Sequence, residues 1–296
     1  MRLNDLNTAF SQQNSEPKII EFINSGYSIH PGGHFQGIQR LDIAGKTYFV
    51  VSGSSEDEAY FVVVGEKSGK YEIIQKNVIG VNPYRHAGGI QVTDNYLFVG
   101  IEDNQKQNIS QVLIFDISQP EQPIGKPITI IQREGQRKRA TAGAVAMTRM
   151  DDGYLLVVGS WDSDTLDFYV SKDNTLNEFG FQFTWDRGKA NRDGWSDNIW
   201  GNYQNLNLMK DTNDSIFLIG YYFDEENKMD YADLYSLHPE KAVPEILIKE
   251  NSRQMNCRDG ASFRYCGGCF IKDENTIISY ACSADCSGYG VINEFN

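Results

Sequence analysis

His34-Phe-Gln-Gly-Ile-Gln39, followed by Tyr48-Phe-Val-Val-Ser-Gly53, is matched downstream by His86-Ala-Gly-Gly-Ile-Gln91, followed by Tyr96-Leu-Phe-Val-Gly100. One unit is written twice: a strand of small residues opened by histidine, a turn through Asp, Asn or Gly, then an apolar strand. A third copy is Ala140-Thr-Ala-Gly-Ala-Val145 with Tyr154-Leu-Leu-Val-Val-Gly159, and a fourth is Asn202-Tyr-Gln-Asn-Leu-Asn207 with Ile216-Phe-Leu-Ile-Gly220. A weaker fifth is Tyr265-Cys-Gly-Gly-Cys-Phe270 with Ile277-Ile-Ser-Tyr-Ala281. The first residues of successive copies are 52, 54, 62 and 63 apart, enough for four short strands with long loops. Outer strands follow in each copy, as in Gln111-Val-Leu-Ile-Phe-Asp116 and Lys126-Pro-Ile-Thr-Ile-Ile131.

Small residues at the head of every copy make sense where first strands crowd around an axis, and glycine permits that approach. The expected fold is therefore all-β, a five-bladed β-propeller of four-stranded antiparallel blades. It would form a single domain over 1–296, with blades near 28–80, 81–134, 135–186, 202–250 and 260–296. The run Lys18-Ile-Ile-Glu-Phe-Ile23 has no other partner. As part of 17–24 it is expected to supply the outer strand of the last blade, leaving no bare sheet edge.

Composition agrees with many short strands and tight turns: aromatics are 12%, with 27 Gly against 8 Pro. A net charge of −13 argues against nucleic acid or an anionic membrane as partner, since long-range repulsion opposes both encounters. The N-terminus has no apolar signal core, and no segment approaches the roughly 20 apolar residues of a membrane span. A cytoplasmic monomer is expected. The five cysteines, Cys257, Cys266, Cys269, Cys282 and Cys286, all fall near the C-terminus. Their spacing permits tetrahedral zinc, but hairpin packing of free thiols explains them as well.

In a propeller, the starts of the first strands and the ends of the second strands open onto one face. Aligned on the shared glycine, His34, His86, Ala140, Asn202 and Tyr265 should form a ring, with Gln204 beside it. One residue earlier, Arg85, Arg139 and Arg264 would aim three guanidinium groups at the mouth, a pattern suited to carboxylate or phosphate. The competing reading pairs these arginines with rim acids. Glu102, at the end of a second strand, would stand near the histidines. His34 and His86 are candidates for acid/base work, or for a metal site completed by Glu102. The long connection at 186–201 carries Trp195 and Trp200 and should lie over the mouth as a lid or wall, with Trp161 beside it. A loop that plugs the tunnel is the alternative.

The unit pattern, especially His86-Ala-Gly-Gly-Ile-Gln91, Gly143-Ala-Val-Ala-Met147 with Gly153–Gly159, and Tyr203-Gln-Asn-Leu-Asn-Leu208, resembles a group of uncharacterised bacterial five-bladed β-propeller proteins. The resemblance implies the fold and carries no activity. Five-bladed glycosidases of the arabinanase type share the architecture by analogy only. Their carboxylates project from inner strands, whereas the ring positions here hold His, Ala, Asn and Tyr. Glycosidase chemistry would have to come from rim acids such as Glu102 and Asp162, and it is the disfavoured reading.

Three functional readings stay open. One is an enzyme acting on a small anionic organic molecule, with His34 or His86 as acid/base and the arginines stabilising an oxyanion. The second is a non-catalytic module that binds a glycan or small molecule in the same pocket. The third is a protein-interaction scaffold using the acidic rim. No cofactor is named by the sequence.

Overall fold

The computed structural model describes residues 2–29, 32–285 and 288–296, so His30 and Cys286 lie outside the described residues. A short helix, α1 (Leu6–Gln12), capped by the Asp5 side chain, precedes an otherwise all-β chain. The N-terminal strand is β1 (Lys18–Ile23). It is followed by an antiparallel run of β2 (His34–Ile43), β3 (Lys46–Ser54), β4 (Glu58–Lys67) and β5 (Lys70–Val81). The next run is β6 (His86–Thr93), β7 (Tyr96–Glu102), β8 (Ile109–Asp116) and β9 (Thr129–Glu134). Then come β10 (Ala144–Met150), β11 (Gly153–Gly159), β12 (Thr165–Ser171) and β13 (Phe179–Asp186). A further run holds β14 (Asn205–Lys210), β15 (Ile216–Asp224), β16 (Met229–Leu237) and β17 (Leu247–Met255). The last holds β18 (Ala261–Asp273), β19 (Thr276–Ser283) and β20 (Tyr289–Phe295), and β1 lies antiparallel beside β20, from Lys18 opposite Glu294 to Ile23 opposite Tyr289.

The leading strands of the runs touch in a closed circuit: β2 meets β6, β6 meets β10, β10 meets β14, β14 meets β18, and β18 returns to β2. Their closeness is measured by what a side chain would hit. A Cβ on Gly89 would collide with the Gln204 carbonyl oxygen and lie 2.7 Å from Asn205 Oδ1, and one on Gly268 would collide with the Ile38 carbonyl oxygen. Glycine is the residue these approaches require.

Strand periodicity explains the core. Along β3 and β4, Val50, Phe61 and Val63 pack toward Ile90, Leu97 and Val99 of the following run. The alternate residues Val51, Val62 and Val64 face Tyr280 and Ile292 of the last run and Phe22 of β1. Because successive side chains point to opposite faces, a middle strand sandwiched between two neighbours must be apolar on both. That is why β11, Gly-Tyr-Leu-Leu-Val-Val-Gly, is buried throughout. Cys266 stands opposite Cys282 on the β18–β19 hairpin, and Cys257, Cys266, Cys269 and Cys282 are free thiols, the last three buried. Among the described residues, no helix is long and apolar enough to cross a membrane.

Candidate functional site

The starts of β2 and β6, the ends of β7 and β15, and the turn after β11 surround a cavity of about 490 Å³ at one end of this circuit. The β6–β7 register sets Glu102 directly opposite His86. Glu102 is fully buried; its Oε2 accepts the Ala142 N–H at 2.6 Å. Its Oε1 lies 3.2 Å from His86 Nδ1, although neither atom has a well-aligned hydrogen-bond partner.

Gln36 bridges the two imidazoles. Its Nε2 is 3.3 Å from His86 Nε2 and contacts His34 Nε2, while His34 Nδ1 is 3.2 Å from the Gly32 carbonyl oxygen. With the Gln36 amide so oriented, its NH2 faces the Nε2 of each ring, which leaves His34 Nδ1–H to donate to the Gly32 carbonyl. Burial pushes the His34 pKa down; the Gly32 carbonyl opposes this in part and the neighbouring His86 adds to it.

The opposite wall comes from the turn Trp161–Ser163. Asp162 and Ser163 have φ of 56° and 53°, in the left-handed region. Non-glycine residues held in sparsely populated backbone regions cost about 1–3 kcal/mol each, so the surroundings must enforce them. Ser163 Oγ donates to the Tyr203 carbonyl at 2.9 Å, Trp161 N–H donates to Thr141 Oγ1 at 2.7 Å, and Trp200 Nε1–H donates to the Ser163 carbonyl at 3.1 Å.

The turn delivers two side chains to the cavity. The Trp161 ring stacks on His86 with centroids 6.0 Å apart and planes inclined 23°. The Asp162 carboxylate accepts from Gln204 Nε2 at 3.0 Å. Burial, followed by repulsion from Asp164, pushes the Asp162 pKa up, against the pull of Gln204, Lys138 and Arg187.

His34, His86, Glu102, Asn202, Gln204, Tyr265 and Arg264 meet in the cavity, as their places in the repeat suggest. The other candidates do not. Arg85 donates to the Glu56 carbonyl at 2.7 Å and lies outside the lining. Arg139 turns to the strand acid Asp167, with which it makes a two-pronged pair. Even Arg264 is exposed and paired with Glu225. The expectation of three convergent guanidiniums is therefore corrected: Arg264 alone lines the cavity, while Arg85 is taken by the Glu56 carbonyl and Arg139 by Asp167.

Trp195 and Trp200 are also corrected. They are 9% and 8% exposed and belong to the core between the β10–β13 and β14–β17 runs. Trp195 Nε1–H donates to the Leu247 carbonyl at 2.9 Å, and Trp200 lies 4.5 Å from Trp185 and 4.7 Å from Tyr203, centroid to centroid. Burial of such large apolar rings outweighs a place over an open mouth. The 186–201 connection is thus a wedge that buttresses the Trp161–Ser163 turn from behind.

Gly143 and Glu225 also line the cavity, as do Gln36, Asn104, Tyr203 and Phe223, which escaped the sequence reading. Gln36 lies at a β-bulge between Phe35 and Gly37, which breaks the simple inward–outward alternation on which repeat alignment relies. Among the described residues, no three of His, Cys, Asp and Glu gather in a way that could hold a metal ion.

No family model matches the sequence, and neither does any curated protein. Solved structures do share its fold. An α-L-arabinofuranosidase from Podospora anserina, solved with cellotriose, superposes with a TM-score of 0.54 at 8% identity, over 96% of this chain and 99% of that one. A GH43 β-xylosidase/α-arabinofuranosidase from a compost microbial metagenome, in complex with xylotriose and free of calcium, gives 0.52 at 11% identity over 91% and 94%. The GH43_1 enzyme from Xanthomonas citri with xylose gives 0.51 at 9% identity over 88% and 86%. At such identities the likeness establishes an all-β propeller fold and leaves the chemistry to the residues.

Proposed function

We propose that the chain is one propeller domain of five four-stranded blades, β1 completing the last, and that its cavity binds a neutral, hydroxyl-rich ligand of the saccharide class. The observation that carries this reading is the mixture of groups around one cavity. The aromatic rings of Trp161, Phe223 and Tyr265 stand beside the carboxamides of Gln36, Asn104, Asn202 and Gln204. Sugars present apolar C–H faces and paired hydroxyls, which such a set can cover and hydrogen-bond together. Against Arg264 the lining sets Glu102, Asp162 and Glu225, so the cavity has no excess of positive charge to draw an anionic ligand. Oligosaccharides or sugars bound to several propellers of similar fold support the same class.

A hydrolytic reading is favoured by a specific observation, the raised pKa of Asp162 in the same cavity as the Glu102–His86 pair. Asp162 would give its proton to a leaving oxygen, and His86, oriented by Glu102, would take one from water. His34 then serves to hold ligand and Gln36.

Calorimetric titration with xylotriose and cellotriose tests the binding claim. Saturable heat is expected, weakened about tenfold in Trp161→Ala by loss of the aromatic face. No binding of either sugar to the wild type sinks the reading. If sugar is released by the wild type and equally fast by Asp162→Asn, the acid role fails while binding stands.

A further inference from the structure

A second cavity of about 440 Å³ lies between β9 and the β12–β13 hairpin, built on different residues from the mouth. At its base one carboxylate serves two guanidiniums. Asp167 Oδ2 accepts from Arg133 Nη2 and from Arg139 Nη1, each at 2.6 Å; Oδ1 accepts from Thr184 Oγ1 at 2.6 Å and from Arg139 Nη2. All four acceptor positions of the carboxylate are thus taken. Arg133 is only 7% exposed, and its remaining donors reach Tyr169 Oη at 3.2 Å, Ser110 Oγ at 3.1 Å and the Thr141 carbonyl.

Two guanidiniums thus share one carboxylate, the Arg133 side chain buried and that of Arg139 34% exposed at the cavity. Glu134 lines the same cavity, but among the described residues Asp167 is the acid that pairs with these arginines. Because Arg139 shares its acid with Arg133 and opens onto the cavity, a ligand carboxylate entering there can take a further charge-assisted hydrogen bond from it. One wall is aromatic: Tyr169 and Phe181 meet edge to face at 5.6 Å, and Phe181 is 54% exposed, so its ring is open to a ligand.

We propose that this cleft is a binding site for a small organic carboxylate, its charge directed to Arg139 and its apolar body laid on Phe181. The site stands apart from the saccharide reading, and the two can fail separately.

Benzoate and inorganic phosphate are the probes, titrated into the full chain by calorimetry. Benzoate is expected to bind saturably and more tightly than phosphate. Arg139→Gln should weaken benzoate about tenfold or more, the effect of losing a charge-assisted hydrogen bond. Phe181→Ala, at an exposed ring whose loss spares the core, should weaken benzoate about three- to tenfold and leave phosphate unchanged. The proposal is overturned if benzoate shows no saturable binding to the wild type, if Phe181→Ala binds it as well as the wild type, or if phosphate binds as tightly as benzoate. A folded Arg139→Gln variant with undiminished affinity overturns it too.

Discussion

Replacing Trp200 by phenylalanine should loosen the candidate site without touching its lining. The indole Nε1–H of Trp200 donates to the carbonyl of Ser163, a fully buried residue, at 3.1 Å. Phenylalanine keeps a ring against Trp185 and Tyr203 but removes the donor, leaving that carbonyl unpaired at a cost of about 1–3 kcal/mol. The turn it restrains holds Asp162 and Ser163 in left-handed conformations that cost a similar amount each. The strain of the two residues together thus matches or exceeds this one restraint, so removing it should let the turn relax and carry Trp161 and Asp162 out of register. Urea denaturation should show a loss of about 2 kcal/mol, and xylotriose binding should weaken about tenfold.

Trp195→Phe is the control. It loses the donation to the Leu247 carbonyl, at 2.9 Å, but has no hydrogen bond to the turn. Similar destabilisation with intact binding is expected there. Equal sugar affinity in the two variants would refute the claim that Trp200 holds the site in shape.

Two further outcomes follow from the geometry. Gly89→Ala should destabilise the protein by about 1–3 kcal/mol or more, because the new methyl meets the backbone of Gln204 and Asn205 across the circuit of leading strands. A stability within 0.5 kcal/mol of the wild type, by the same urea assay, would contradict that crowding. The lowered His34 pKa makes a pH prediction: the folded state binds fewer protons than the unfolded one, so stability falls as pH drops below the unfolded value near 6.5. The loss continues until the folded pKa is passed. His34→Gln should flatten this part of the urea-midpoint profile between about pH 7 and 5, and an unchanged slope would remove His34 as its source.

How much of this was visible in the chain can be judged residue by residue. His34, His86, Asn202 and Tyr265 hold equivalent places in the first, second, fourth and fifth copies of one unit, and all four reach the same cavity, whereas Ala140 of the third copy does not line it. Glu102 could be placed beside them because a β-hairpin pairs the start of one strand with the end of the next. Asp162 was visible only as a rim acid. Its raised pKa arises from burial in a turn whose left-handed backbone is enforced by Tyr203, Thr141 and Trp200, distant in sequence.

The arginines show the limit of repeat reasoning. Arg139 stands next to a ring position, yet its direction is decided by Asp167 on a strand of the same run. Trp195 and Trp200 stand in a long loop, a place that reads as a lid, but two indoles bury more favourably between neighbouring sheets than above an open mouth.

The repeat by itself determined that the chain is all-β and that its glycine-rich leading strands converge, because a pattern copied along the sequence places its copies equivalently in space. Which side chains enter the cavity was decided only by the tertiary structure. A long polar or aromatic side chain goes to whichever partner or apolar surface the packed neighbours bring within reach, and those neighbours lie up to dozens of residues away along the chain.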